Sequence, residues 1–184
     1  MTAAKTMRPR GFTLIELLIT LAIAAVMLVL AAPGLQTMLA NQRLTSAADS
    51  LQASVLQARS TALRDNRRVI VQPLDGDDSD NSGDWKNGWH VYIDAAQNST
   101  FDSGTDTVVL TQEALPAEIT IARTTSGKNF IGFDGTGFLA QIGGSANATW
   151  KISSTGTSRE KYLVIERSGR ARLCDPKLVA NCPS

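Results

Sequence analysis

Between Glu16 and Arg43 the chain carries no charge for 26 residues, Leu17 to Gln42. As a helix that run reaches about 39 Å at about 1.5 Å per residue, against a hydrocarbon core of about 30 Å. Its most apolar part, Leu17 to Ala32, has 16 residues and attains spanning length when Phe12 to Ile15 are counted with it. Met1 to Arg10 hold Lys5, Arg8 and Arg10 and no acid. That end therefore stays on the cytoplasmic side, and the rest of the chain faces outward. A secretory signal peptide shares the order of basic then apolar. Two features set this segment apart from one: Glu16 lies inside the apolar run, and no clear small-x-small site precedes a mature domain. A charge there costs at least about 2.5 kcal/mol at the bilayer centre and is normally kept for a function and a partner.

Beyond the run the chain reads as a helix followed by strands. Leu44, Ala47, Leu51, Val55, Ala58 and Ala62 recur at steps of three or four, a stripe suited to packing on a sheet. Pro33-Gly34 should kink the helix where it leaves lipid, and Asp65-Asn66 is a stop. Nine runs then read as strands: Arg68–Gln72, Trp89–Ile93, Thr107–Thr111, Glu118–Ala122, Asn129–Phe133, Gly137–Gln141, Thr149–Ser153, Lys161–Arg167 and Arg170–Cys174. Asp134-Gly135 is a hairpin turn. The expected class is α+β, one long N-terminal helix on antiparallel sheets, arranged as two small sheets. Aromatics are only 5% of the 184 residues, so the core should be mainly aliphatic.

The net charge of +1 excludes a uniformly basic chain, but charge is segregated. Val69 to Glu118 hold ten acids and one base, Lys86, whereas Lys151 to Ser184 hold seven bases and three acids. The acidic run Asp75 to Asp84 imitates the start of a calcium loop, with Asp78, Asp80 and Ser82 alternating and Gly83 in the sixth place. The twelfth place is Trp89, where a bidentate Glu is needed. A solvated acidic loop is the better reading. Gly132 to Gly137 lacks the Gly-Lys-Ser/Thr of a phosphate loop, so turn chemistry explains it. Trp85 and Trp89 read as core and turn packing, and His90 as a strand-face residue. One His and two Cys exclude most zinc sites and a histidine-based triad. No spacing singles out a nucleophile or an acid–base pair. We therefore expect no enzyme, catalytic residue, cofactor or metal.

The basic end is more specific. Ser168-Gly169 turns the chain after a strand, and Arg170 and Arg172, two apart, should point to one side of an extended segment, with Arg167 beside them. Guanidinium forks suit phosphate oxygens, and Gly169 permits close backbone approach. Cys174 and Cys182 are the only cysteines, and outside the inner membrane they should pair. That loop would constrain the unfolded chain by about 2.5 kcal/mol and hold Lys177 near the arginines.

Three motifs carry a family resemblance. Gly11-Phe12-Thr13-Leu14-Ile15-Glu16-Leu17 resembles the class III signal of type IV pilins and type II secretion pseudopilins, and Pro33 matches the helix-kinking proline of many pilins. The segment Asp84 to Asp94, with its Gly88-Trp89 strand, resembles the GspH/FimT pilin family. Gly169-Arg170-Ala171-Arg172 is similar to the Gly-Arg-x-Arg element of FimT-like minor pilins. The resemblance implies that a prepilin peptidase cuts after Gly11 and methylates Phe12, and that Glu16 serves assembly by pairing with a neighbouring subunit's amine. It implies a leader at 1–11, a membrane and assembly half-helix at 12–34, and a periplasmic domain at 35–184. It also implies DNA as a partner, held non-specifically through Arg167, Gly169, Arg170, Arg172 and Lys177 for uptake in transformation. The other implied partners are major and minor pilins, the peptidase, and the inner membrane before assembly into an extracellular pilus, at its tip. The alternatives are a structural minor pilin that primes assembly, or a pseudopilin of type II secretion.

Overall fold

The computed structural model describes residues 12–76, 83–140, 147–179 and 182, with the side chains of all but 30–33 among them. One helix, α1, runs Leu14–Asp65. Thr13 opens it: its hydroxyl accepts the Glu16 N–H at 3.3 Å, an N-cap with an acid three residues on. Glu16 in the first turn also complements the positive end of the helix dipole. At the other end Asn66 takes φ 49° and the Arg67 N–H reaches back to the Ala62 carbonyl at 3.3 Å. That bond from five residues on closes the helix at the expected place.

The chain divides into two compact units at Met38/Leu39. In the first, Leu14, Ile15, Leu17, Ile23 and Met27 are all more than half exposed, and they point around the whole helix rather than along one stripe. A helix apolar on every side belongs in lipid or among other helices. Among the described residues no single helix is long and apolar enough to cross a membrane; Leu14–Val29 and Gly34–Asp65 meet that test only taken together.

The second unit is built on the amphipathic stripe. Leu44, Ala47, Ala48, Leu51, Val55, Ala58 and Ala62 are buried, all within one core. Four of these are alanines, which let sheets approach the helix axis closely. Among the described residues eight strands follow: β1 Val69–Pro73, β2 Trp89–Ile93, β3 Thr107–Gln112, β4 Ile119–Arg123, β5 Ile131–Phe133, β6 Ala148–Ser154, β7 Glu160–Ile165 and β8 Ala171–Cys174. They form two antiparallel sheets, ordered β3-β2-β1-β5 and β4-β6-β7-β8. Period-two alternation sends Val69, Val71, Trp89 and Val91 of the first sheet, and Ile119, Ile121, Trp150, Ile152, Leu163 and Ile165 of the second, into the helix core.

Trp85 and Trp89 lie in that core as expected, with Trp150 beside Trp85 at 6.1 Å. The indole N–H groups of Trp85 and Trp89 donate to Asn129 Oδ1 at 2.7 Å and Ser54 Oγ at 2.9 Å, so little polar cost attends the burial of those two rings, whereas Trp150 Nε1 has no hydrogen-bond partner among the described residues. The core is thus aliphatic with a tryptophan cluster. His90 lies on the opposite face of β2, packed against Tyr92 at 5.0 Å and Phe101 at 4.5 Å.

Two expectations are corrected. Over the described part of Gly137–Gln141, residues 137–140, no strand is added; among the described residues an isolated bridge pairs Phe133 with Leu139, and Gln141 lies outside them. Asp134 takes over this stretch, its carboxylate accepting the N–H groups of Thr136 at 2.9 Å and Phe138 at 3.1 Å. Nor are the ends of the acidic loop simply solvated. Asp75 accepts from the Asp84 N–H and the Asn87 amide, at 2.9 and 2.7 Å. Asp84 caps the Trp85–Asn87 turn. Asp78, Asp80 and Ser82 lie outside the described residues.

Candidate nucleic-acid interface

The basic cluster is the β7–β8 hairpin. Gly169 N–H donates to Glu166 O at 2.8 Å, and Glu166 N–H to Arg170 O at 2.9 Å, closing a three-residue loop of Arg167, Ser168 and Gly169. Gly169 sits at φ 78°, the left-handed residue such a loop needs. A Cβ here would also run into the Gly137 carbonyl and lie 2.7 Å from Arg59 Nε. Glycine is required at this position twice over, by its torsion and by its packing.

Register decides which way the arginines face. Val164 pairs with Arg172 and Ile165 with Ala171. Ile165, Ala171 and Leu173 pack toward the helix core. Arg170 and Arg172 therefore share the opposite face with Val164 and Glu166, as their spacing of two predicts. Arg167 and Arg170 are exposed. Among the described residues no carboxylate lies within 4 Å of either guanidinium. Arg172 has Glu166 at 3.9 Å, both side chains 40% exposed, too far for a hydrogen bond and worth little in water.

Lys177 does not join this cluster. The disulfide between Cys174 and Cys182 forms, with Cα atoms 5.7 Å apart. It packs with Tyr162 and Val164 on the outer face of the sheet. Lys177, however, lies at the far end of β7, where its Nζ is 3.3 Å from Ser158 Oγ. Ser158 and Arg167 flank β7 on either side, so roughly 20 Å of strand separates them at about 3.3 Å per residue. There Arg159, which sequence reasoning did not single out, pairs with Asp175 at 2.6 Å. Burial by itself would push the Asp175 carboxyl up; the Arg159 hydrogen bond and the Lys177 amide outweigh it and hold it below the usual range. Lys151 and Glu160 pair at 2.6 Å, which raises the amine and lowers the acid. Arg167 and Arg170 are thus two open cations held together at the hairpin tip, with Lys177 a third, isolated one at the other end of β7.

Arg59 of α1 is the second residue missed. Its Nε donates to Gly137 O at 3.1 Å and its Nη2 to Ser168 O at 2.8 Å. Leu139 N–H adds a bond to Arg167 O at 3.0 Å. The hairpin is thereby fastened to both the helix and the Asp134–Leu139 turn. The sequence offered one weak signal, a base flanking the stripe beside Ala58; its partners lie 78 and 109 positions away. Gly11 lies outside the described residues. Phe12 and Glu16 are exposed at the start of α1.

Residues 47–169 match the family described as Type II transport protein GspH, and residues 6–32 match the prokaryotic N-terminal methylation motif. The chain belongs to the GspH family. This GspH-family chain is 31% identical to the pilin-like protein PilA1 of Thermus thermophilus over 172 residues, 91% of this chain and 99% of that one. In fold it is similar to the type IV minor pilin FimU of Pseudomonas aeruginosa. The TM-score is 0.54 and the identity 24%, over 73% of this chain and 90% of FimU. A second FimU crystal form gives 0.54 and 22%, over 71% and 91%. Membership of the GspH family, the methylation motif and the pilin-like relative together support a type IV minor pilin or pseudopilin.

Proposed function

We propose that this chain is a FimT-like minor pilin that holds DNA at the tip of the β7–β8 hairpin during uptake. The observation that carries the reading is the pair Arg167 and Arg170, exposed on a rigid turn with no carboxylate within 4 Å among the described residues. Two such guanidinium groups, with Arg172 beside them, can bridge successive phosphates without reading bases. The acidic loops belong to the first sheet, which biases approach of a polyanion toward the second.

The membrane half of the proposal rests on α1. Prepilin peptidase would cut after Gly11, removing Lys5, Arg8 and Arg10 and leaving one amine on Phe12. Glu16 would then pair with the amine of a neighbouring pilin, so that desolvation penalises a misplaced subunit. Before assembly the chain would sit in the inner membrane with its C-terminal unit in the periplasm, and afterwards at the pilus tip.

A structural subunit, either a FimU-like primer of assembly or a GspH-like pseudopilin, is the alternative. It is supported by Glu166, which partly offsets Arg172. A titration of full-length chain in non-ionic detergent with labelled duplex DNA separates the readings. Binding near the non-specific range of about 10⁻⁴–10⁻⁶ M is expected. Replacing Arg170 and Arg172 by Gln should flatten the log–log salt slope by roughly 2. No binding at low salt, or an unchanged slope, favours the structural subunit.

A further inference from the structure

The turn that buttresses the basic hairpin also carries an aromatic ring. Phe138 is 50% exposed, although Trp85, Trp89, Trp150, Tyr92, Phe130, Phe133 and Tyr162 are all buried. Its backbone is pinned in both directions: the N–H donates to Asp134 Oδ1 at 3.1 Å, and the carbonyl accepts from Asp134 N–H at 3.1 Å. Its neighbours on either side are the residues that hold the hairpin. Gly137 O takes the Arg59 guanidinium, and Leu139 N–H bonds Arg167 O. Ring and arginines therefore stand on one fastened unit, separated by a single residue in each connection. Asp134 Oδ1 accepts from the Thr136 N–H and hydroxyl and from the Phe138 N–H, so that oxygen is turned into the loop.

We infer that Phe138 is a stacking platform for an unpaired base, and that the hairpin favours single-stranded over duplex DNA. A lone exposed Phe needs no explanation on an ordinary surface. On the same fastened backbone as Arg167, which with Arg170 has no carboxylate within 4 Å among the described residues, it completes the two elements that single-strand sites combine, cations that follow the phosphates and a ring that takes a base face. A duplex hides its base faces, so the ring adds nothing there. The Arg59 bridge supplies the rigidity, since a platform on a loose loop would lose its gain to ordering.

This inference rests on the DNA-binding reading, and the test keeps the two apart. Full-length chain in non-ionic detergent is titrated with a labelled thymidine oligonucleotide and with a duplex of equal length, as wild type and as Phe138→Ala, Phe138→Leu and Phe138→Trp. Wild type should prefer the single strand. Phe138→Ala and Phe138→Leu should each weaken single-strand binding by about fivefold or more while duplex binding and its salt slope stay unchanged. Phe138→Trp should restore the affinity, with its indole emission quenched on binding. Single-strand affinity unchanged in Phe138→Ala, or equally restored by Leu, overturns the stacking role while leaving the arginine site standing. Absence of binding to either nucleic acid overturns the parent reading and this one together.

Discussion

His90 shows how one residue can couple solution conditions to the fold. It is the chain's only histidine. Its ring lies between Tyr92 and Phe101, and Nε2 is buried without a hydrogen-bond partner among the described residues. Burial lowers its pKa from the ordinary 6.5, because the imidazolium would have to leave water unpaired. A depressed histidine favours the folded state while neutral. Below 6.5 the unfolded chain takes up a proton that the folded chain refuses, so stability falls as pH falls through that value. The thermal midpoint should therefore drop between about pH 7.5 and about 5.5, and His90→Leu should flatten that dependence. An equal slope in His90→Leu would place the proton uptake elsewhere.

At the scale of the element, α1 changes character along its length. Its first turns are apolar on all sides, whereas from Leu44 onward a single stripe is buried against both sheets. The consequence is a sharp asymmetry between neighbours on the same helix. Leu51 is fully buried and Leu56 is 47% exposed. Leu51→Ala leaves a cavity in the core cluster and should cost about 2–5 kcal/mol, whereas Leu56→Ala should stay within about 0.5 kcal/mol. Urea unfolding of the full chain in detergent, followed by tryptophan emission, measures both. Equal losses would mean that Leu56 is covered in the working protein, by a neighbouring subunit or by detergent. The hairpin β7–β8 is the other decisive element, since its register alone turns two arginines outward and Ala171 and Leu173 inward.

For the molecule as a whole, charge and hydrophobicity are separated in three places. The exposed apolar residues are concentrated in the first unit, and in the second the acidic loops follow β1 and β2 while Arg167 and Arg170 stand on the β7–β8 tip. Such a chain is suited to a membrane store and a polar fibre surface in turn, which is why processing must precede assembly in the proposed function. Gly11→Glu should leave the leader attached, because an extended backbone with a bulky side chain fits a protease site poorly. Intact-mass measurement of membrane-extracted protein reads this directly. Glu16→Ala should be cleaved normally yet be missing from sheared pili, because the Phe12 amine loses its charge partner. Normal incorporation of Glu16→Ala would show that apolar helix packing by itself sets register.

What the chain's order alone determined was local and periodic. The helix stop at Asp65-Asn66, the stripe from Leu44 to Ala62, eight of the nine strands and the outward pairing of Arg170 with Arg172 all follow from spacing, because 3.6 and 2.0 residue repeats are properties of the backbone. The methylation motif and the disulfide were legible for the same reason, since each involves residues close in sequence. Contacts across the chain were not. Arg59 meets the hairpin 109 positions away, Phe138 arrives beside Arg167 through a turn that sequence patterning reads as a strand, and Lys177 is carried off by the direction of β8. Only closing the two sheets on one helix brings such residues together. A hydrogen bond between distant segments depends on where the whole chain has gone, and no local period records that.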